Sequence, residues 1–355
     1  MANNHSGAPA GGAAHTALVP RKRVNLALQG GGAHGAFTWG VLDALMQDDR
    51  LEVDGISGTS AGAMNAAVLA CGIATGGREA ARAGLAAFWK DVSFDGNLGH
   101  AQRTLVDMFL NAWSIGGQSP GGWANIASQV LSPYDVNPLD INPLRDVVEK
   151  HINFKHLRGC HELQLFIAAT NVRTGKVRVF RRPELTADML MASAALPTVF
   201  KAVEVEGQPY WDGGYMGNPV LFPFFTETQT DDIVLVQINP VVRDAVPETS
   251  RDIMERMNEI TFNASLLHEL RAIDFVRRLI DQGRLEGTHY KRIRIHRIDA
   301  TKELSSYGAE SKLQADWDFF QELHALGLKA GKRFLKTKFD ALGNEGTVDL
   351  QKELL

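Results

Sequence analysis

The five residues Gly58-Thr59-Ser60-Ala61-Gly62 carry the most specific chemical signal in the chain. The pattern G-x-S-x-G permits a sharp strand-to-helix turn that lifts a serine hydroxyl out at the end of a sheet. There the serine can act as a nucleophile. With Gly and Ser each at roughly 7% of residues, chance alone produces the pattern in about one chain in ten. Its place beside a second glycine loop makes accident a poor explanation. That loop is Gly30-Gly31-Gly32-Ala33-His34-Gly35, and two chemistries compete for it. It satisfies G-x-G-x-x-G literally, and Asp54 follows near the end of the next apolar stretch, which is the dinucleotide fingerprint in its usual context. Alternatively, backbone N–H groups of a glycine run at a helix N-terminus make a positive site suited to an oxyanion. A dinucleotide fold has no use for a serine raised on the following turn, so Ser60 favours the oxyanion reading.

A serine nucleophile needs a base. His268, His289, His296 and His324 lie downstream, none in a strand-end loop with Gly or Pro. Each is expected on the surface or in a satisfied core. A Ser–His–Asp enzyme of the α/β-hydrolase type would also place several strands before its serine, whereas here one strand–helix unit precedes it. Asp212 in Tyr210-Trp211-Asp212-Gly213-Gly214 is better placed. It ends a hairpin strand, and two glycines follow where the backbone must turn tightly. Asp-Gly is common in turns, so by itself this is weak evidence.

The elements needed to position these residues are legible. VNLALQ at 24–29 and the stretch 52–57 read as short buried strands. Phe37, Val41, Leu42 and Leu45 recur at helical spacing, and 61–71 is a small, apolar helix. The order is strand, glycine loop, helix, strand, tight turn, helix, which predicts a parallel sheet with right-handed crossovers. A helix is expected over 78–90. Further strands are expected at 163–169 and 176–180 around a Thr174-Gly175 turn, at 202–206 and 208–212 around Gly207, at 232–238 and at 291–298. Helices are expected over 186–196, 250–283 and toward 338. In the 250–283 helix the apolar set is Met254, Met257, Ile260, Leu266, Leu267, Leu270, Ile273 and Phe275. From 91 to 138 periodicity dissolves among Gly-Gly pairs and prolines. This long irregular stretch, with Trp113 and Trp123, reads as a lid that meets a lipid interface.

Three ordered motifs, the glycine run at 30–35, G-T-S-A-G at 58–62 and D-G-G at 212–214, resemble the patatin-like phospholipases. The segment 192–219, ASAALPTVFKAVEVEGQPYWDGGYMGNP, is similar to the same family. The resemblance covers about 24–240. It implies a three-layer α/β/α fold with a mostly parallel central sheet and hydrolysis of lipid acyl esters. It also implies a Ser–Asp dyad without histidine, metal or cofactor. Carried over, Ser60 is the nucleophile, Asp212 the base, and the backbone of Gly30, Gly31 and Gly32 the oxyanion hole. One departure is His34, where the family has Arg or Lys; its charge can titrate near neutral pH.

Composition is consistent with this and excludes other classes. The chain has 355 residues, 45% hydrophobic and 22% charged, which is ordinary globular usage. Lys+Arg 37 against Asp+Glu 41 leaves a net charge of −4, so no basic excess points to nucleic acid. Cys71 and Cys160 are too few for a disulfide scaffold or a multi-cysteine zinc site. No secretory signal and no continuous apolar span is evident. The expected location is cytoplasmic, with peripheral contact to a membrane carrying the lipid substrate. Residues 1–22 are expected to be a disordered tail, 23–240 the catalytic core, and 241–355 a mainly helical extension packed on it. The alternatives are an esterase acting on other esters or polyesters, a dinucleotide-binding oxidoreductase and a non-catalytic scaffold.

Overall fold

The computed structural model describes residues 21–93, 132–137, 140, 142–197, 200–299, 304 and 316–354. The expected 91–138 lid, with Trp113 and Trp123, lies almost wholly outside these residues, as do residues 1–20 of the expected tail. Lys22 does not belong to that tail. It opens the first strand, and its ammonium donates to the carbonyls of Phe339, Asp340 and Leu342 at 2.8–3.0 Å. A charge held by three carbonyls is anchored rather than free.

Among the described residues, eight strands form one sheet: β1 Lys22–Leu28, β2 Leu51–Gly58, β3 Gln164–Asn171, β4 Val177–Arg181, β5 Val203–Val205, β6 Gln208–Asp212, β7 Asp232–Gln237 and β8 Arg294–Asp299. The run β3-β2-β1-β7-β8 is parallel, and β4, β5 and β6 join antiparallel. Leu26 and Leu28 face one apolar cluster while Ala27 faces another; Val234 and Val236 oppose Ile233 and Leu235 in the same way. Burial on both faces explains why these strands read as continuous apolar runs instead of alternating ones.

Helices cover both faces. The main ones are α1 Gly35–Met46, α2 Ala61–Val92, α3 Pro143–His151, α4 Ala187–Ser193, α5 Ser250–Asp281 and α6 Trp317–Lys338. Helices α1, α2, α3, α4 and α6 share one cluster, whereas α5 packs on the other face with Leu266, Leu270 and Ile273. The expected 78–90 helix is the second half of α2, which breaks at Gly76 and Gly77. Gly77 has φ 72° and ψ −157°, a conformation open essentially to glycine.

The expected apolar face of α1 is only part of its burial, since all its residues except Asp43 are buried. The reason is α6. A Cβ on Gly40 would lie 2.0 Å from the His324 carbonyl oxygen, and one on Gly327 would lie 2.0 Å from that of Phe37. The two helices touch backbone to backbone, which only glycine allows. Among the described residues after 240, β8 extends the sheet and α6 closes over α1. In α5 the periodic set divides between two faces. Leu266, Leu270 and Ile273 are buried, while Met257, Ile260 and Phe275 are more than half exposed.

Candidate active site

Strand pairing brings the two motif-bearing loops together. One edge of β3 pairs with β4 through residues 166–170. Its other edge is shared: β2 occupies it through Gly58, opposite Ile167, and β6 takes over with Asp212 opposite Ala169. Ser60 lies two residues past the end of β2, so the turn after β2 meets the end of β6. The contact is close. A Cβ on Gly213 would lie 3.0 Å from the Thr59 side chain and 2.2 Å from the Ala168 carbonyl oxygen.

Ser60 occupies a strained elbow, φ 54° and ψ −121°. A non-glycine residue there costs on the order of 1–3 kcal/mol and persists only where its surroundings enforce it. The enforcement is visible. A Cβ on Gly58 would sit 2.5 Å from the Gly62 carbonyl oxygen, and one on Gly62 would sit 2.3 Å from that of Leu28. Thr59 Oγ1 donates to the Gly217 carbonyl at 2.6 Å, and the Ser60 N–H donates to Ser193 Oγ at 3.0 Å. Ser193 ends α4, so the ASAALP segment supports the elbow directly.

The glycine loop lies against this elbow. A Cβ on Gly30 would be 2.8 Å from the Ser60 Cβ. The Gly30 N–H is not open, because it donates to Asn218 Oδ1 at 2.7 Å. The expected oxyanion donors are thereby narrowed from three to Gly31 and Gly32, whose N–H groups enter none of the loop or side-chain hydrogen bonds among the described residues. His34 is buried just before α1.

Asp212 is fully buried. Its N–H donates to the Ala195 carbonyl at 2.9 Å, its carbonyl accepts from Thr170 Oγ1 at 2.9 Å, and its Oδ1 accepts the Gly214 N–H at 2.7 Å. Oδ2 and Ser60 Oγ are both buried with no closed hydrogen bond. Burial pushes the Asp212 carboxyl up to about 7, against the lowering influence of the Gly214 N–H and the Ser60 hydroxyl. Burial, with the nearby Asp212 charge, also pushes the Tyr215 phenol up to about 12. A carboxyl near 7 beside a strained serine is matched to proton transfer at neutral pH, unlike an ordinary aspartate near 3.9.

The downstream histidines lie elsewhere. His296 donates or accepts at Asp232, 2.9 Å away at the beginning of β7, the opposite end of the parallel strands from Ser60. Burial would raise the Asp232 carboxyl, but hydrogen bonds from His296, Arg294 and the Gly343 N–H hold it well below the usual range. His324 pairs with Asp43 at 3.1 Å and lies against Trp39. His268 and His289 are exposed. Asp54, the acidic residue of the dinucleotide reading, accepts the N–H groups of Gln229 and Thr230 at 2.6 and 3.0 Å. Its carboxylate is thus committed to a turn.

Motif reading misses Gln29, Asn65, Asn218, Asn239 and Asn263, all buried. Asn65 ties α2 to the start of α1 by donating to the Gly35 carbonyl at 3.0 Å, and it accepts the Trp89 indole N–H at 2.9 Å. The available signal was a polar residue in an otherwise apolar stretch, as Gln29 is in VNLALQ. Phe262 of α5 packs on Gly214, where a Cβ would lie 1.8 Å from its ring, and on Tyr215 with centroids 5.3 Å apart.

The structure thus combines a three-layer α/β/α fold with a buried serine elbow, a buried aspartate of raised pKa and an adjoining glycine loop. A family model described as patatin-like phospholipase matches residues 26–225, and the chain belongs to that family. It is accordingly a lipid acyl hydrolase. Among solved structures, VipD from Legionella pneumophila is similar at 15% identity and a TM-score of 0.38, with 88% of this chain and 67% of that chain covered. The type III effector protein ExoU is similar at 16% identity and a TM-score of 0.34, with 89% of this chain covered and about half of the other, 53%. No curated protein matches the chain. Among the described residues, no helix is long and apolar enough to cross a membrane.

Proposed function

We propose that the chain hydrolyses fatty acyl esters of phospholipids or related lipids through a Ser60–Asp212 dyad. The observation that carries this reading is the meeting of a strained, buried Ser60 with a buried Asp212 whose carboxyl is raised to about 7. Asp212 Oδ2 takes the proton from Ser60 Oγ as Oγ bonds to the ester carbonyl carbon. The carbonyl electron pair moves to oxygen, and the N–H groups of Gly31 and Gly32 receive that negative charge. Each such donor is typically worth about 2.7–4 kcal/mol. The tetrahedral intermediate collapses, and the lyso-lipid alkoxide leaves with the proton held by Asp212. Water then attacks the acyl-Ser60 ester, giving its proton to Asp212, and Asp212 returns that proton to Ser60 Oγ as the acyl–Oγ bond breaks and the fatty acid leaves. Asp212 must be ionised to begin the cycle, so kcat/KM rises with pH through about 7.

The test is labelling with a fluorophosphonate probe alongside hydrolysis of a phospholipid panel read by mass spectrometry. Wild type is expected to be labelled and to release fatty acid, and Ser60→Ala to do neither. Labelling or lipid turnover that survives in folded Ser60→Ala would overturn the assignment.

A further inference from the structure

Four buried side-chain amides lie beneath the glycine loop: Gln29, Asn218, Asn239 and Asn263. Asn239 and Asn263 are outside residues 26–225, the part matched to the family. Gln29 is the hub. Its Oε1 accepts the backbone N–H groups of Ile238 and Asn239, each at 3.0 Å, and Asn239 Nδ2 at 3.4 Å. Its Nε2 donates to the Asn218 carbonyl at 3.3 Å and to Asn263 Oδ1 at 3.1 Å. Asn263 Nδ2 in turn donates to the Pro240 carbonyl at 3.1 Å. The segment 238–240 is therefore held at both its N–H groups and its last carbonyl.

The network ends on one peptide unit. Asn239 Nδ2 donates to the Gly30 carbonyl at 2.7 Å, with a longer contact from Asn218 Nδ2 at 3.4 Å. In a planar trans peptide the carbonyl of residue i and the N–H of residue i+1 point in opposite directions. A Gly30 carbonyl drawn to Asn239 therefore turns the Gly31 N–H the other way. Between two glycines this peptide can rotate as a unit at little steric cost, because neither residue has a Cβ to resist it. Rotation would present the Gly30 carbonyl oxygen where the donor should be, and it would repel a developing oxyanion. Apolar residues of similar volume could fill this space without desolvating amides, so filling the core does not explain the arrangement.

We propose that Asn239 is a positioning residue that locks the Gly30–Gly31 peptide with the Gly31 N–H available to the oxyanion, and that Gln29 and Asn263 fix Asn239 for that task. The inference rests on the Ser60 mechanism above. Asn239→Ala and Asn239→Leu both remove the donor to Gly30. The assay is hydrolysis of a soluble short-chain p-nitrophenyl ester, together with the rate of fluorophosphonate labelling. In each variant kcat is expected to fall about 10²–10³-fold, the effect of one lost oxyanion donor. KM stays within about threefold, and labelling slows in parallel. The acid limb of the pH profile stays near 7 because Asp212 is untouched. In a folded Asn239→Ala, kcat within threefold of wild type overturns the proposal. So does a loss confined to KM, which would mean collapse of the substrate pocket. Should Asn239→Ala fail to fold, Asn263→Ala removes the support at one remove. It is expected to lower kcat about 3–10-fold at unchanged KM, and wild-type kcat there also overturns the proposal. Failure of the underlying mechanism shows separately, as labelling that survives Ser60→Ala.

Discussion

Replacing Asp212 by Asn removes the ionisable group while keeping its shape and the acceptor for the Gly214 N–H. Activity should be lost by at least the ~10²–10⁴ typical of a missing general base. Stability should move the other way. In the folded chain burial raises the Asp212 carboxyl from 3.8 to about 7. A carboxyl raised on folding contributes stability below its unfolded value, and that contribution is lost as pH climbs through the folded value. The shift is about three units, and at 1.36 kcal/mol per unit it costs wild type about 4 kcal/mol above pH 7. The amide of the Asp212→Asn variant never ionises and escapes this cost. The variant should thus match wild type near pH 3, gain on it between about pH 4 and 7, and hold a constant lead above. Burial also raises the Glu269 carboxyl to about 7, opposed by the N–H groups of Leu221 and Phe222. It titrates in the same window, so the quantity to follow is the difference between the two proteins. Urea melts at intervals from pH 3 to 9 measure it. A difference independent of pH, or a variant less stable than wild type at pH 8, would refute the argument that Asp212 is held against its own solvation.

The histidines and the C-terminal helix give independent checks. His296→Gln and His324→Gln should each keep kcat within a few-fold, because their partners Asp232 and Asp43 lie away from Ser60; a folded variant as inactive as Ser60→Ala would point to a hidden triad. Gly327→Val places branched carbon where a Cβ alone would be 2.0 Å from the Phe37 carbonyl oxygen. It should destabilise the chain by at least ~3 kcal/mol, the upper range for overpacking, and lower thermal stability even though residue 327 is far outside the matched segment. A melting temperature within a degree of wild type would contradict the backbone-to-backbone contact of α1 and α6.

The supports of Ser60 and Asp212 come from different parts of the fold. Ser60 is held by Gly58 and Gly62 through close approach, and by Ser193 through its N–H. Asp212 is held by β3 on one side and by Ala195 on the other. Neither group is positioned by its own loop alone. Both are fixed by strands and helices, which hold side chains more precisely than loops do.

Much of this protein was determined along the chain. Apolar runs and helical spacings specify local conformation, so β1, β2, β3 and β7, the Gly207 hairpin and α5 follow from residues close in sequence. The glycines of 58–62 permit a tight turn, and distant partners enforce the strained form that Ser60 adopts in it. Tertiary structure decided what depends on distant partners. The spacing in α5 could not separate Leu266 and Leu270, which meet the sheet, from Met257 and Ile260, which meet solvent; periodicity marks a helix, while burial depends on what lies opposite. The same limit hid the burial of α1 on nearly every side, since the helices carrying Gly40 and Gly327 touch across most of the length of the chain. The Asp212 carboxyl is raised by desolvation, a property of everything packed around it and not of its neighbours in the chain. The amides at 29, 218, 239 and 263 converge through hydrogen bonds, which are directional and short-ranged and leave no periodic trace in a sequence.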